Sequence, residues 1–205
     1  YKGLESRTKQ EHIRLFSVQL RCDTNQSMRA KRNHNRLEQI THYVIARTPS
    51  DELGATKLNK ILWVIDLMCW RERSESLTGL EEYTRLDYGP VPTQVKPVVR
   101  NLLAAGKVVE RRTSTPVGER KELISLDDPD LEGLSASDVD LIHRAIEFVR
   151  PMSAHKVSEL THDVFWEEVP QGQKMSVGAA CIWPGEIDQD ALDWAKAELK
   201  ELDGL

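Results

Sequence analysis

Residues 57–70 read KLNKILWVIDLMCW, and this stretch decides the fold because it is apolar on two sides of a helix. One face has the i, i+3, i+4, i+7 spacing of an amphipathic helix and consists of Leu58, Ile61, Leu62, Ile65, Met68 and Cys69. Close to the opposite side, at about 100° per residue, runs a second apolar stripe of Trp63, Leu67 and Trp70. Such a helix is either central to its domain or covers its second face with a partner. The pattern favours a central helix over about residues 55–73.

Further helical patterns flank this central helix. A first helix is ended by Pro49, a third spans about residues 92–105, and a fifth begins near Ser153 and runs into Phe165 and Trp166. A fourth starts at Ser135, which forms a capping-box-like pattern with Asp138. The chain is therefore predicted to be mainly helical.

Residues 108–112 and 121–126 are two short strand-like segments around a Thr-Pro-Val-Gly turn, which predicts a β-hairpin. Helix, turn, helix and hairpin is also the element order of a winged helix. The predicted fold class is thus mainly α: a compact helical domain with a small β-hairpin as a winged-helix-like element.

The charge distribution divides the chain. Residues 1–36 carry nine Lys and Arg against three Asp and Glu, although the whole chain has a formal net charge of -5. A basic arm of this kind is more often a solvated tail than a nucleic-acid contact. We expect a basic N-terminal appendage over residues 1–35, a globular domain over 36–183, and a C-terminal helix over 184–205 that packs on the domain or extends from it.

Composition indicates a protein of the reducing cytoplasm. No apolar run approaches the roughly 18 residues of a membrane span, and the first residues have no apolar core of a secretory signal. Cys22, Cys69 and Cys181 are far apart and odd in number, which supports neither a disulfide framework nor a zinc site. We therefore expect a cytoplasmic protein that has no membrane partner.

No catalytic constellation is visible in the sequence. The chain has no Walker loop and no GxGxxG after a strand, and His162 and Asp163 are helix neighbours that point about 100° apart. His155, Glu159 and His162 leave a metal site as an alternative, but they lack the i, i+4 histidine pair of helical zinc proteases. The sequence predicts a protein that is not an enzyme and has no cofactor and no metal.

Nucleic-acid binding is the second alternative. The predicted hairpin and its approach are basic at Lys107, Arg111, Arg112, Arg120 and Lys121. Three glutamates interleave with these cations, and the acidic remainder of the chain opposes the clustered positive field that DNA binding needs. A winged-helix-like DNA-binding transcriptional regulator stays open as the alternative function.

Three motifs, in order along the chain, carry a family resemblance. Residues 57–66 resemble a helix written K-L-x-K-L-L-Y, two aliphatic residues, then Asp or His. Residues 86–91, LDYGPV, resemble an aromatic-x-x-G-P-V element, and residues 158–166 resemble an S-x-x-S/T-H…W segment. Together they resemble the Panacea domain, the SocA-like antitoxin domain of bacterial and phage toxin–antitoxin pairs, over roughly residues 36–180.

The resemblance implies an antitoxin that binds its cognate protein toxin directly and neutralises it without catalysis. It leaves the identity of the toxin and the oligomeric state open. Within the motifs, the residues to which we assign a structural role are Leu58, Ile61, Leu62, Ile65, His162 and Trp166.

The corner Tyr88-Gly89-Pro90-Val91-Pro92 is stiff because its prolines fix the backbone, while glycine permits a close or positive-φ approach. It serves either as the entry to the third helix or as a toxin contact. If the core does not cover all of the second stripe of the central helix, we expect part of that stripe and the corner to form one patch, with two lysines at its polar rim. The candidate toxin-binding residues are Lys57, Lys60, Trp63, Trp70, Tyr88, Gly89, Pro90 and Val91.

Overall fold

A computed structural model of the chain describes residues 35–115 and 118–182. The predicted basic appendage, apart from residue 35, and the predicted C-terminal helix over 184–205 lie outside the described residues. In chain order the elements are α1 (35–47), α2 (Ala55–Arg73), β1 (Glu82–Leu86), β2 (Gly89–Val91), α3 (Val95–Ala104), β3 (Val108–Thr115), β4 (Gly118–Ser125), α4 (Ala136–Val149), α5 (Ala154–Leu160), α6 (Val164–Glu168), β5 (Lys174–Ser176) and α7 (Val177–Ile182).

Helix α2 is the centre of the domain, as its two apolar faces predict. It contacts α4, α5, α7 and β2, and residues from both faces, such as Ile61 and Trp63, are buried. The helix ends where Ser74 adopts a left-handed conformation and its N–H donates to the Trp70 carbonyl at 2.8 Å. No described helix is both long and apolar enough to cross a lipid bilayer.

The predicted β-hairpin is confirmed and is longer than expected. Strands β3 and β4 have eight residues each and pair antiparallel from Val108–Ser125 to Thr115–Gly118. The hairpin follows α3 and contacts it. A winged-helix arrangement, by contrast, is not shown.

A second, three-stranded sheet was not predicted and makes the fold mixed α and β rather than mainly α. Its strand order is β2-β1-β5, with both pairs antiparallel. Strands β2 and β5 have only three residues each, too few for a period-2 pattern to appear in the sequence. The predicted corner therefore belongs to a β-hairpin: Tyr88 is one of its two turn residues, with Asp87, and the next three corner residues form β2.

Side-chain caps set the ends of the later helices. The predicted capping box of α4 is present, since the Ser135 hydroxyl accepts from the Asp138 N–H and the Asp138 carboxylate accepts from the Ser135 N–H. The predicted fifth helix is two helices, because Asp163 accepts from the Trp166 N–H at 2.8 Å and starts α6. The break places residues 161–163 in a short connection, in which Thr161 lies beside Gly89 of β2.

Candidate functional site

The three motifs, which lie far apart in the sequence, meet on one side of α2. Lys60 comes from α2, Gly89 begins β2, and Thr161 follows α5. A Cβ atom added to Gly89 would overlap the Lys60 ammonium and would lie 2.7 Å from the Thr161 hydroxyl. We call the group formed by these residues together with Ser158, His162 and Trp166 the Lys60 cluster.

Gly89 is required at this meeting point for two reasons. Its φ of 97° lies in the left-handed region that L side chains rarely adopt. Its missing side chain also leaves the space that the Lys60 ammonium occupies.

Gly89→Ala should therefore destabilise the fold by about 2–3 kcal/mol, from backbone strain and overpacking together. The matched control is Gly133→Ala, which has φ 74° but nothing within 4 Å of the added Cβ, so that only about 1 kcal/mol of strain is expected. Urea unfolding of both variants measures the difference. Equal losses would show that Lys60 moves aside without cost.

Polar atoms without partners concentrate in the Lys60 cluster. Among the described residues, six side-chain nitrogen or oxygen atoms are shielded from solvent and make no hydrogen bond. Four of them belong to this cluster: Lys60 Nζ, Ser158 Oγ, His162 Nε2 and Trp166 Nε1. Buried polar groups in proteins are normally paired, so this concentration marks the cluster as unusual.

The electrostatics of the cluster are positive. Burial lowers the pKa of Lys60 to about 7, because desolvation disfavours the ammonium. The pKa of His162 is lowered by burial first and then by the positive charges of Lys60 and Arg85, while Glu159 and Glu167 act in the opposite direction. Within the described part of the chain, Lys60 has no hydrogen-bond partner.

A cation and two rings close one side of the cluster. The His162 and Trp166 rings stack with centroids 3.8 Å apart and planes 8° from parallel. The Arg85 guanidinium lies 4.0 Å from the Trp166 ring centroid, and its Nε donates to the Trp166 carbonyl at 2.9 Å. His162 and Trp166 were named from the sequence, whereas Arg85 had no sequence signal because its contacts depend on the unpredicted sheet.

Asp66, the last residue of the first motif, anchors the chain that follows α2. Its buried carboxylate accepts from the Thr78 N–H at 2.9 Å, the Thr78 hydroxyl at 2.5 Å and the Tyr83 hydroxyl at 2.6 Å. Burial raises its pKa to about 6, although these hydrogen bonds act against the rise. The Tyr83 ring in turn packs edge-on against Trp63, with centroids 4.8 Å apart. This network belongs to the core, and sequence analysis did not identify it.

The surface patch expected along α2 is not formed, since the protein covers that side itself. Lys60 and Trp63 are 1% and 3% exposed, so neither offers rim or patch contacts. Lys57 donates to the carbonyl of Arg150 at the end of α4, at 2.8 Å. Trp70 is half-buried against α7, where a Cβ added to Gly178 would come within 2.6 Å of its ring.

The turn between β1 and β2 is the part of the predicted patch that remains exposed. Tyr88 is 71% exposed, whereas Gly89 and Pro90 are buried and Val91 is half-buried. Leu160 is 55% exposed and precedes Thr161, just as Tyr88 precedes Gly89. Tyr88 and Leu160 are thus the exposed chain neighbours of two residues, Gly89 and Thr161, that meet in the Lys60 cluster.

The two alternative sites gain no support from the geometry. In the hairpin, Arg111 pairs with Glu122 at 2.6 Å and Lys121 with Glu110 at 3.2 Å, so these cations are neutralised locally. No group of three or more His, Cys, Asp or Glu among residues 35–115 and 118–182 could hold a metal ion. His155 pairs with Glu159 at 3.3 Å, while His162 stacks on Trp166.

A comparison with known protein families matches nearly the same part of the chain as the three motifs. The family model described as "Antitoxin SocA-like, Panacea domain" matches residues 58–167. This range covers more than half of the 205 residues and contains every member of the Lys60 cluster. No curated protein and no solved structure matches the chain. The chain therefore belongs to the SocA-like antitoxin family with a Panacea domain.

Proposed function

We propose that this protein is a cytoplasmic antitoxin that neutralises a cognate protein toxin by binding it directly, without catalysis. Family membership supports the antitoxin role. The observation that carries the binding mode is Tyr88, a large aromatic side chain that is 71% exposed within the matched domain.

Tyr88 is suited to binding because its backbone is fixed before a partner arrives. It occupies a two-residue turn whose next residue, Gly89, packs against Lys60 and Thr161 in the Lys60 cluster. Proline follows at positions 90 and 92 and limits the backbone further. A rigid aromatic side chain loses little conformational entropy on binding, which is why such residues often dominate interface energies.

Apolar neighbours extend the contact area around Tyr88. Leu86 is 40% exposed at the end of β1, and Leu160, which precedes Thr161 of the Lys60 cluster, is 55% exposed. We name Leu86, Tyr88 and Leu160 the corner surface. The toxin contact proposed here is this surface, rather than the stripe along α2.

The function is tested by expressing the gene adjacent to this one in cells, with and without this protein. Growth arrest by the neighbour alone and recovery upon co-expression are expected, together with a stoichiometric complex in pull-down. If the neighbour is toxic and the cells fail to recover, the antitoxin proposal is wrong for that pair.

Tyr88→Ala should weaken toxin binding by about 2 kcal/mol, or roughly thirtyfold, because the variant truncates a central aromatic contact. Its melting temperature should match that of the parent, since the side chain is mostly exposed. Phe148→Ala is the matched control: Phe148 is 46% exposed, but it lies on α4 and outside the corner surface. Calorimetric titration of toxin into both variants measures the effect, and equal affinities would exclude the corner surface as the contact.

A further inference from the structure

The Lys60 cluster combines a buried cation with hydrogen-bonding atoms that have no partner. Lys60 is 1% exposed and Ser158 is 4% exposed, and neither Lys60 Nζ nor Ser158 Oγ makes a hydrogen bond in the described structure. An unpaired buried charge is costly to a fold, much more so than a paired one. The domain keeps this arrangement where its three motifs meet.

The chemistry of the unpaired atoms indicates what would satisfy them. An ammonium and an indole N–H can only donate hydrogen bonds, and a serine hydroxyl and an imidazole nitrogen can do so as well. The Thr161 hydroxyl donates to the Ser158 carbonyl at 2.9 Å, and Lys60 Nζ makes no hydrogen bond to its oxygen. Lys60 Nζ and Trp166 Nε1, which can only donate, therefore lack an acceptor, and a water molecule would supply oxygen but no negative charge.

We propose that the Lys60 cluster is a binding site for one carboxylate group, with Lys60 Nζ and Trp166 Nε1 as donors to its two oxygens. A carboxylate offers about four lone-pair sites and the missing charge. Arg85, stacked on the outer face of Trp166, adds to the attraction. Two carboxylates of the chain itself, those of Glu159 and Glu167, raise the pKa of His162, and both residues are exposed.

The carboxylate has two possible sources that share this chemistry. One is a small free carboxylate, and the other is an acidic side chain of the toxin. The second source rests on the proposed antitoxin function, whereas the site itself does not. Experiments with formate and with toxin separate the two sources.

Formate is the probe for the free protein, with sodium chloride at equal ionic strength as the baseline. NMR of the lysine side chains, titrated over pH, reports the pKa of Lys60, and the Trp166 indole N–H reports its hydrogen bond. We expect formate to raise the pKa of Lys60 from about 7 towards its ordinary value and to shift the indole signal. No change in either signal upon adding formate or toxin would overturn the site.

Two variants test the donors separately. Trp166→Phe retains an aromatic ring to stack on His162 but removes the indole N–H, and Lys60→Met replaces the ammonium with an uncharged side chain of similar length. Each should weaken formate binding at least tenfold. Lys156→Met, an exposed lysine on α5, and Trp70→Phe, outside the cluster, should leave it unchanged. Parent-like formate binding by both cluster variants would also overturn the proposal.

The same measurements with toxin test the second source of the carboxylate. If its carboxylate enters the site, complex formation should raise the pKa of Lys60 without formate, and formate should compete with toxin. If formate binds but does not compete, the site takes a free carboxylate. If formate binds normally and no toxin binds the parent protein, the antitoxin proposal fails while the carboxylate site stands.

Discussion

Asp66→Ala should lower the free energy of unfolding by about 4 kcal/mol. The variant removes the shared acceptor of the Thr78 N–H, the Thr78 hydroxyl and the Tyr83 hydroxyl. Each buried donor left without a partner costs about 1–3 kcal/mol. The loss also frees the Tyr83 ring that packs against Trp63, so the chain between α2 and β1 loses its anchor.

Two further variants separate this network from a general effect of charge removal. Asp66→Asn should cost only about 1 kcal/mol, because its amide oxygen still accepts from the Thr78 N–H and the hydroxyls can turn to accept. Asp140→Ala removes an exposed carboxylate that pairs with Arg144 at 3.0 Å and should cost about 0.5 kcal/mol. Urea unfolding at pH 7 measures all three, and an Asp66→Ala loss as small as that of Asp140→Ala would contradict the assigned role.

Lys60→Met should make the protein more stable at neutral pH and should remove a pH dependence that the parent shows. The folded pKa of Lys60 is about 7, below the ordinary 10.5 of the unfolded chain. Above pH 7 the unfolded state therefore binds more protons, and stability rises with pH by up to about 1.4 kcal/mol per unit. Between pH 7 and pH 9 the parent should gain about 2 kcal/mol, and as pH falls through 7 this contribution is lost.

Lys60 gives the main change between pH 7 and pH 9 among the described groups with shifted pKa values. Asp66 titrates near pH 6, and the pKa values of His42 and His162 are lowered below 6.5. Burial raises the pKa values of Cys69 and Cys181 above their ordinary 9.0, so these thiols contribute only near the upper end of the window and with the opposite sign. Urea unfolding at several pH values should give a rising curve for the parent and for Lys156→Met, and a flat curve for Lys60→Met. A parent curve as flat as that of Lys60→Met would show that Lys60 stays charged in the folded state.

A lysine whose burial costs stability at neutral pH marks a candidate functional site. Methionine would fill the same space without the cost of desolvating an ammonium. Buried polar groups in proteins normally have hydrogen-bond partners, and exceptions to this rule are expected at functional sites. The prediction for stability and the proposal for carboxylate binding therefore concern the same atom, Lys60 Nζ.

The sequence by itself determined the elements whose signals are local. The spacing of apolar residues predicts α2 over residues 55–73, where the structure has Ala55–Arg73. The Ser135–Asp138 pattern predicts the start of α4, and turn residues between two strand-like segments predict the β3–β4 hairpin. Periodicity and capping act within one or two turns of the chain, so they can be read without knowing the fold. The family was also identified from motifs within the chain.

Only the tertiary structure decided which surfaces are buried and which polar groups meet. Strands β1 and β5 pair across about ninety residues of chain, and their pairing has no local signature. The second face of α2 was expected to face a partner in part, but Tyr83 and α7 cover Trp63 and Trp70. Lys60 was expected at a rim and is buried, because β2 and the end of α5 close over it. Burial depends on what packs against a face, and a sequence pattern specifies the face but not its neighbour.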